Sequence, residues 1–224
     1  MDNKRSMTSD AILHSATNER RTVLVWSWPE PTTMLSSAAV GGGLKSVDHL
    51  LNVSVPVDYG RTDLDVHLAE IVDELSLSGT HAGLFTAVDV THVRRNVCNG
   101  VVADATVGVS KLTWAAEPSG SFTVWSPGTI NIVVQSPVAL SEAAAVNAVN
   151  AVMTITEAKV QALIDCEVPG TGTASDAVAL TWPTQGQPQQ FGGPRSEWGA
   201  RIAQSTYESV KAGLADFIER HAEQ

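Results

Sequence analysis

Residues 141–183 read SEAAAVNAVNAVMTITEAKVQALIDCEVPGTGTASDAVALTWP, and this stretch decides the fold class. A long apolar-periodic run gives way to a Gly/Thr loop, and then to a short apolar run stopped by Pro183. The pattern predicts helix, loop and strand. The helix is expected over about Glu142–Asp165, with Ser141 as its N-cap and Glu142 at the positive end of the dipole. Val146, Val149, Met153, Val160, Leu163 and Ile164 are expected to supply much of its buried stripe. Its Ala-rich early turns permit close packing against a sheet. The strand is expected over Ala177–Trp182, because proline cannot donate to a ladder.

Working outward, two more helices are expected. One spans about Asp63–Leu77, with Leu64, Leu68, Ile71, Val72 and Leu75 on one face. Thr62 is its expected N-cap, with Asp65 completing a capping-box variant. The other spans about Glu197–His221 through Ile202, Val210, Leu214, Phe217 and Ile218. Strands are expected from Thr22 to Trp26, Val47 to Val55, Ala82 to Val88, Val101 to Val109 and Gly128 to Val134. Uneven interleaving of at least five strands with three helices points to an α+β (or α/β layered) single domain, a mixed β-sheet packed by about three helices. Residues 1–21 are polar and are read as a tail, leaving 22–224 as the domain.

Composition narrows the function. The chain has 224 residues, enough for a sizeable core, with 14 Lys plus Arg against 24 Asp plus Glu, a net charge of −10. That balance argues against a nucleic-acid partner and against an anionic membrane surface. No run approaches the roughly 20 apolar residues that span a bilayer. The first 21 residues lack the apolar core of a signal peptide, so a cytoplasmic location is expected. Cys98 and Cys166 read as free, at least half-buried thiols. The oligomeric state stays open, with a homo-oligomer compatible.

Candidate chemistry sits in Gly/Ser/Thr loops at strand ends. In Leu35–Gly43, three successive glycines could bring backbone N–H groups close to an anion, or simply form a turn. In Phe85–Val90, Thr86 and Asp89 place a hydroxyl and a carboxylate three residues apart. Asp89 with His92, and His81 nearby, offers weak metal spacing without a fixed third ligand. In Ser126–Ile132, Thr129 and Asn131 share a strand face, for an amide substrate, an oxyanion or local backbone bonding. In Pro169–Ala177, Thr173 and Asp176 repeat the hydroxyl-carboxylate spacing. Glu157 stands amid Ala, Val and Thr on the long helix, turned inward as a base or exposed. Trp114, Trp125 and Trp182 lie in or near these loops as flat platforms or core. There is no phosphate loop, G-x-S-x-G elbow or Cys–His pair, and no metal or other cofactor is expected.

Taken in order, these segments resemble the adenosylcobinamide amidohydrolases. The resemblance rests on Ser36-Ser37 with Gly41-Gly42-Gly43, Thr86-Ala87-Val88-Asp89-Val90, Gly108-Val109-Ser110, Gly128-Thr129-Ile130-Asn131-Ile132, Glu157-Ala158-Lys159, and Thr171-Gly172-Thr173 with Asp176-Ala177. It spans about Val23 to Leu214. It implies hydrolysis of the amide joining aminopropanol to the corrin side chain, giving adenosylcobyric acid for cobalamin synthesis, with a corrinoid as the small-molecule partner. Two features depart from the pattern: Ser196 stands where a Thr is expected, and Gln185–Gln190 is a Gln- and Pro-rich insert.

Amide hydrolysis needs an activated nucleophile, a proton for the leaving amine and oxyanion stabilisation. Asp176 or Glu157 is the candidate base on water; Asn131, Thr129 and the N–H groups of Gly42 and Gly43 are candidates to hold the oxyanion. Thr173, Thr86 or Ser37 would orient the amide, and Asp89 belongs with the substrate-binding set. A covalent route through Ser37 or Thr86 lacks a His base. The competing readings are a non-catalytic corrinoid-binding protein and a metal-dependent hydrolase of another small amide.

Overall fold

The computed structural model describes residues 12–17, 21–117, 128–140 and 146–222. In chain order the elements are β1 (Ile12–Thr17), β2 (Thr22–Ser36), β3 (Gly43–Ser54), α1 (Leu64–Glu74), β4 (His81–Thr86), β5 (Arg94–Cys98), β6 (Val101–Val107), β7 (Ile130–Gln135), α2 (Val146–Asp165), β8 (Ala177–Pro183) and α3 (Glu197–Ala222), with a short 3-10 turn at Val90–His92. The strands form one mixed sheet in the order β4-β3-β2-β8-β7-β6-β5, and β1 pairs with β2. The pairs β3–β4 and β7–β8 are parallel and the others antiparallel. The architecture is α+β, as the sequence predicts.

The sheet folds back on itself at β2. Its register against β3 shifts between Ser27 and Thr32, across Pro29 and Pro31, which have no N–H to give. Thr22–Ser27 pairs with β1, whereas Thr32–Ser36 pairs with β8. The bend brings strands that are not neighbours face to face. Trp26 of β2 donates from Nε1 to Asp104 of β6 at 2.8 Å, and Asn52 of β3 donates to Thr106 of β6 at 3.0 Å.

Side-chain alternation then divides the core into layers. Leu24, Trp26, Leu50, Leu84, Val133 and Ala179 fill the space between the two halves of the sheet. Val23, Val25, Leu51 and Val53 point the other way and pack on Leu68, Ile71 and Val72 of α1. Ala103, Ala105, Ile130, Ile132, Val134 and Leu180 pack against α2 and α3.

Several expectations are corrected. Residues 12–17, inside the stretch read as a tail, form β1. No apolar pattern marks β5, because Arg94-Arg95-Asn96 is polar; Arg95 is placed by a bidentate bond to the buried Asp104. α1 starts with Asp63, not Thr62, as N-cap, and makes no side-chain cap bond because Arg61 holds the Asp63 carboxylate. The buried face of α2 is its alanine face: Ala148, Ala151, Ile155, Ala158, Ala162 and Leu163. Val146, Val149, Met153 and Ile164 are exposed. Small side chains let α2 lie close to its neighbours, as at Gly192, where a Cβ would meet Ala151 N at 2.8 Å. The expected cap Ser141, Glu142 at the dipole end, and Trp125 lie outside the described residues.

Candidate active site

The loop before β8 locks onto the start of β7. The Thr129 hydroxyl is 2.8 Å from Ser175 O, Ser175 Oγ donates to Gly128 O at 3.1 Å, and the Ile130 N–H donates to Asp176 Oδ1 at 3.0 Å. Ser175 and Asp176 line two different clefts.

The cleft beside Asp176 has a volume of about 460 Å³ and runs between α2, β8 and the end of β2. Its polar wall is Ser36, Ser37, Lys159, Asp176 and Thr156; its apolar wall includes Val149 and Val152. At its base the Lys159 ammonium donates to Asp176 Oδ2 at 2.5 Å, with side-chain exposures of 9% and 14%. Asp176 Oδ1 also accepts from the Thr173 hydroxyl at 2.6 Å, and the Thr173 N–H lies 3.2 Å from each oxygen. The pair rests on Gly172, where a Cβ would lie 2.6 Å from Lys159 Nζ. That close approach explains the glycine in Thr171-Gly172-Thr173. Asp176 is thus pre-aimed, and the ammonium has two further protons for groups in the cleft.

The second cleft, of about 250 Å³, is lined by Thr86, Thr129 and Ser175 together with Tyr59, Arg61 and Phe85. A third, of about 480 Å³, shares Ala87 and Gly128 with it and adds Asp89, Lys111, Arg220 and His221. Asp89 caps the 3-10 turn by accepting from the Thr91 N–H and hydroxyl at 3.0 and 2.7 Å. Its burial works to raise its pKa, but the Thr91 bonds and His92 outweigh that and hold the carboxyl below its ordinary value. Burial, followed by the Arg220 charge, holds His92 down. Among the described residues no group of three or more His, Cys, Asp or Glu is placed to hold a metal ion.

The structure therefore brings Asp176, Thr173 and Ser37 together, and puts Thr86 and Thr129 on the other side of the Ser175–Asp176 link. Asn131 is 2% exposed, between the sheet halves, accepting from Thr129 and donating to Asn52 at 2.9 Å each. Glu157 is exposed in a separate groove toward Tyr207 and Glu208 of α3. Gly42 closes the tip of the β2–β3 hairpin and Gly43 opens β3 opposite Ser36; a Cβ on Gly42 would lie 2.6 Å from Ala38 O. Val40 in that tip bridges Gly83 of β4. The expectation gave Lys159 no role. Its signal is a lone charge on the stripe of Ile155, Ala158, Ala162 and Leu163. Ser196 caps α3, accepting from the Gly199 N–H at 3.1 Å, a role Ser and Thr both fill.

No described helix is long and apolar enough to cross a membrane. The adenosylcobinamide amidohydrolase family model matches residues 5–222. A protein of Methanosarcina mazei named adenosylcobinamide amidohydrolase is 27% identical over 187 residues, covering 80% of this chain and 88% of the relative. One of the same name from Halobacterium salinarum is 28% identical over 188 residues, covering 80% and 78%.

Proposed function

Because the chain belongs to the adenosylcobinamide amidohydrolase family, we propose that it hydrolyses the aminopropanol amide of adenosylcobinamide. The products are adenosylcobyric acid and aminopropanol, and the acid returns to cobalamin synthesis. The observation that carries the reaction chemistry is the Lys159–Asp176 pair at 2.5 Å, in a cleft with one polar and one apolar wall. The apolar wall, Val149 and Val152, suits the flank of a large ring, and gives the exposed valine of α2 a use.

In this reading the scissile amide enters beside Ser37, and Lys159 turns to its carbonyl oxygen. That frees a lone pair on Asp176 Oδ2, which takes a proton from the attacking water as the C–O bond forms. The ammonium stabilises the tetrahedral oxyanion and then protonates the departing amine nitrogen as the C–N bond breaks. Lys159, now a neutral amine, swings back to Asp176 Oδ2 and takes its proton, and both charges are restored. Thr173 and the Ile130 N–H hold the carboxylate in place throughout. Thr86, Thr129 and Asp89 contact more distant parts of the substrate, and Asn131 supports the site from beneath.

The test is a pair of variants, Lys159→Met and Asp176→Asn. Both are expected to bind adenosylcobinamide and to lose at least ~10²-fold in kcat, the lower range for losing a proton-transfer group. Near-native turnover by folded Lys159→Met removes the pair from the mechanism.

A further inference from the structure

The cleft beside Ser175 contains a hydrogen-bond chain that the chemistry above does not use. Tyr59, between β3 and α1, stacks on His67 and Phe85, with ring centroids 5.5 and 6.2 Å away. Its hydroxyl oxygen lies 2.6 Å from His67 Nδ1, and Arg21 Nη1 lies 2.8 Å from His67 Nε2. A guanidinium can only donate. Nε2 is therefore the acceptor, and the proton of the neutral ring sits on Nδ1 and is given to the Tyr59 oxygen. Burial, then the charges of Arg61 and Arg21, holds His67 below its ordinary value, which keeps the ring neutral. Burial pushes the Tyr59 phenol up, so it keeps its proton. That proton cannot go to His67, and is left for a partner in the cleft that Tyr59 lines.

The cleft also states what that partner is. At about 30 Å³ per water-sized group, about 250 Å³ admits a short side arm and not a macrocycle. Leu64 and Phe85 give it apolar surface. Arg61 in its wall is already held by Asp63 and Glu70, two carboxylates against one cation, so an anion is not favoured there.

We propose that this cleft is a subsite for a neutral carboxamide arm, with the Tyr59 hydroxyl donating to the amide oxygen and His67 positioning Tyr59. The inference rests on the corrinoid reading above and concerns a carboxamide other than the one cleaved.

Tyr59→Phe keeps the ring stack and removes the donor. With Lys159→Met as the common background to stop cleavage, calorimetric titration with adenosylcobinamide is expected to show a Kd raised about five- to tenfold by Tyr59→Phe, the size of one lost neutral hydrogen bond. With Lys159 in place KM should rise with it, while kcat stays within about twofold. Nitrogen NMR of the wild type should show His67 protonated at Nδ1, with the Tyr59 and His67 signals shifting when adenosylcobinamide binds. An Nε2–H tautomer, an unshifted pair of signals in the saturated protein, or an unchanged Kd in folded Tyr59→Phe overturns the inference. The NMR arm decides the matter if that variant does not fold. Binding without cleavage by the wild type, with weakened binding in Tyr59→Phe, sinks the amidohydrolase reading and leaves this one standing. No binding by the wild type sinks both.

Discussion

Asp176 makes more of its neighbours than its place in the sequence suggests. Its oxygens accept from Lys159, the Thr173 hydroxyl, the Thr173 N–H and the Ile130 N–H, which matches the roughly four lone-pair sites of a carboxylate. Asp176→Asn keeps the shape and two of the acceptor bonds but meets the Lys159 ammonium with no charge. Its kcat should fall by at least ~10²-fold, with corrinoid affinity little changed, in steady-state assays beside calorimetry. Native turnover would reduce Asp176 to a loop anchor. Asn131 should behave differently. Asn131→Ala strips a donor from Asn52 Oδ1 and an acceptor from Thr129, inside a layer closed to water. The expected loss is about 1–3 kcal/mol in chemical denaturation. The shared facing of Thr129 and Asn131 was legible, because residues two apart on a strand point to one side; the bond from the Thr173 hydroxyl to Asp176 is a loop contact that spacing alone does not fix. Lys159 is not legible in the same way, since a sequence shows a charge on an apolar stripe without showing the carboxylate that faces it.

At the scale of elements, helix docking depends on glycines and on one neutral imidazole. A Cβ on Gly199 would collide with Gly193 O, backbone against backbone, at the start of α3. Gly199→Ala should therefore lower the thermal midpoint, because a backbone clash that costs up to about 3 kcal/mol outweighs the roughly 1 kcal/mol of helix propensity the alanine adds. α1 is held partly through His67, faced by Tyr59, Arg21 and Arg61, with Asp63, Glu70 and Glu74 in the same ion-pair group. Its folded pKa is depressed by burial, so below about 6.5 the unfolded chain takes up more protons than the folded one. Stability is full above that value and falls as pH drops beneath it. His92 carries the same sign, so His67→Gln should flatten the acid slope of the thermal midpoint only in part. An unaltered slope in His67→Gln would show that His67 takes up its proton equally in the folded and unfolded chain, and that burial does not depress it. Hydrophobic periodicity located all three helices, yet on α2 it marked the outward face. Alanines bury well but weigh little in such a pattern, and Val149 and Val152 lie toward the cleft.

Across the whole molecule, the fold is set by a bend in β2 that no periodicity announces. Pro29 and Pro31 sit inside a strand and signal a stop, but the ladder resumes at Thr32 in a new register. Strand count and class were readable because alternation is local. The closure that faces β3 toward β6 and β7 was not, because it depends on contacts far apart in the chain, such as Trp26 with Asp104. That closure gathers the ends of β2, β3, β4, β6, β7 and β8 around the three clefts, so that loops scattered from Ser36 to Asp176 border them. The most direct test of the account is incubation of the purified protein with adenosylcobinamide, with and without chelator, followed by quantitation of both products. The account predicts adenosylcobyric acid and aminopropanol in equal amounts, at a rate unchanged by the chelator. Recovery of intact, tightly bound adenosylcobinamide, or cleavage abolished by chelator and restored by zinc, would contradict it.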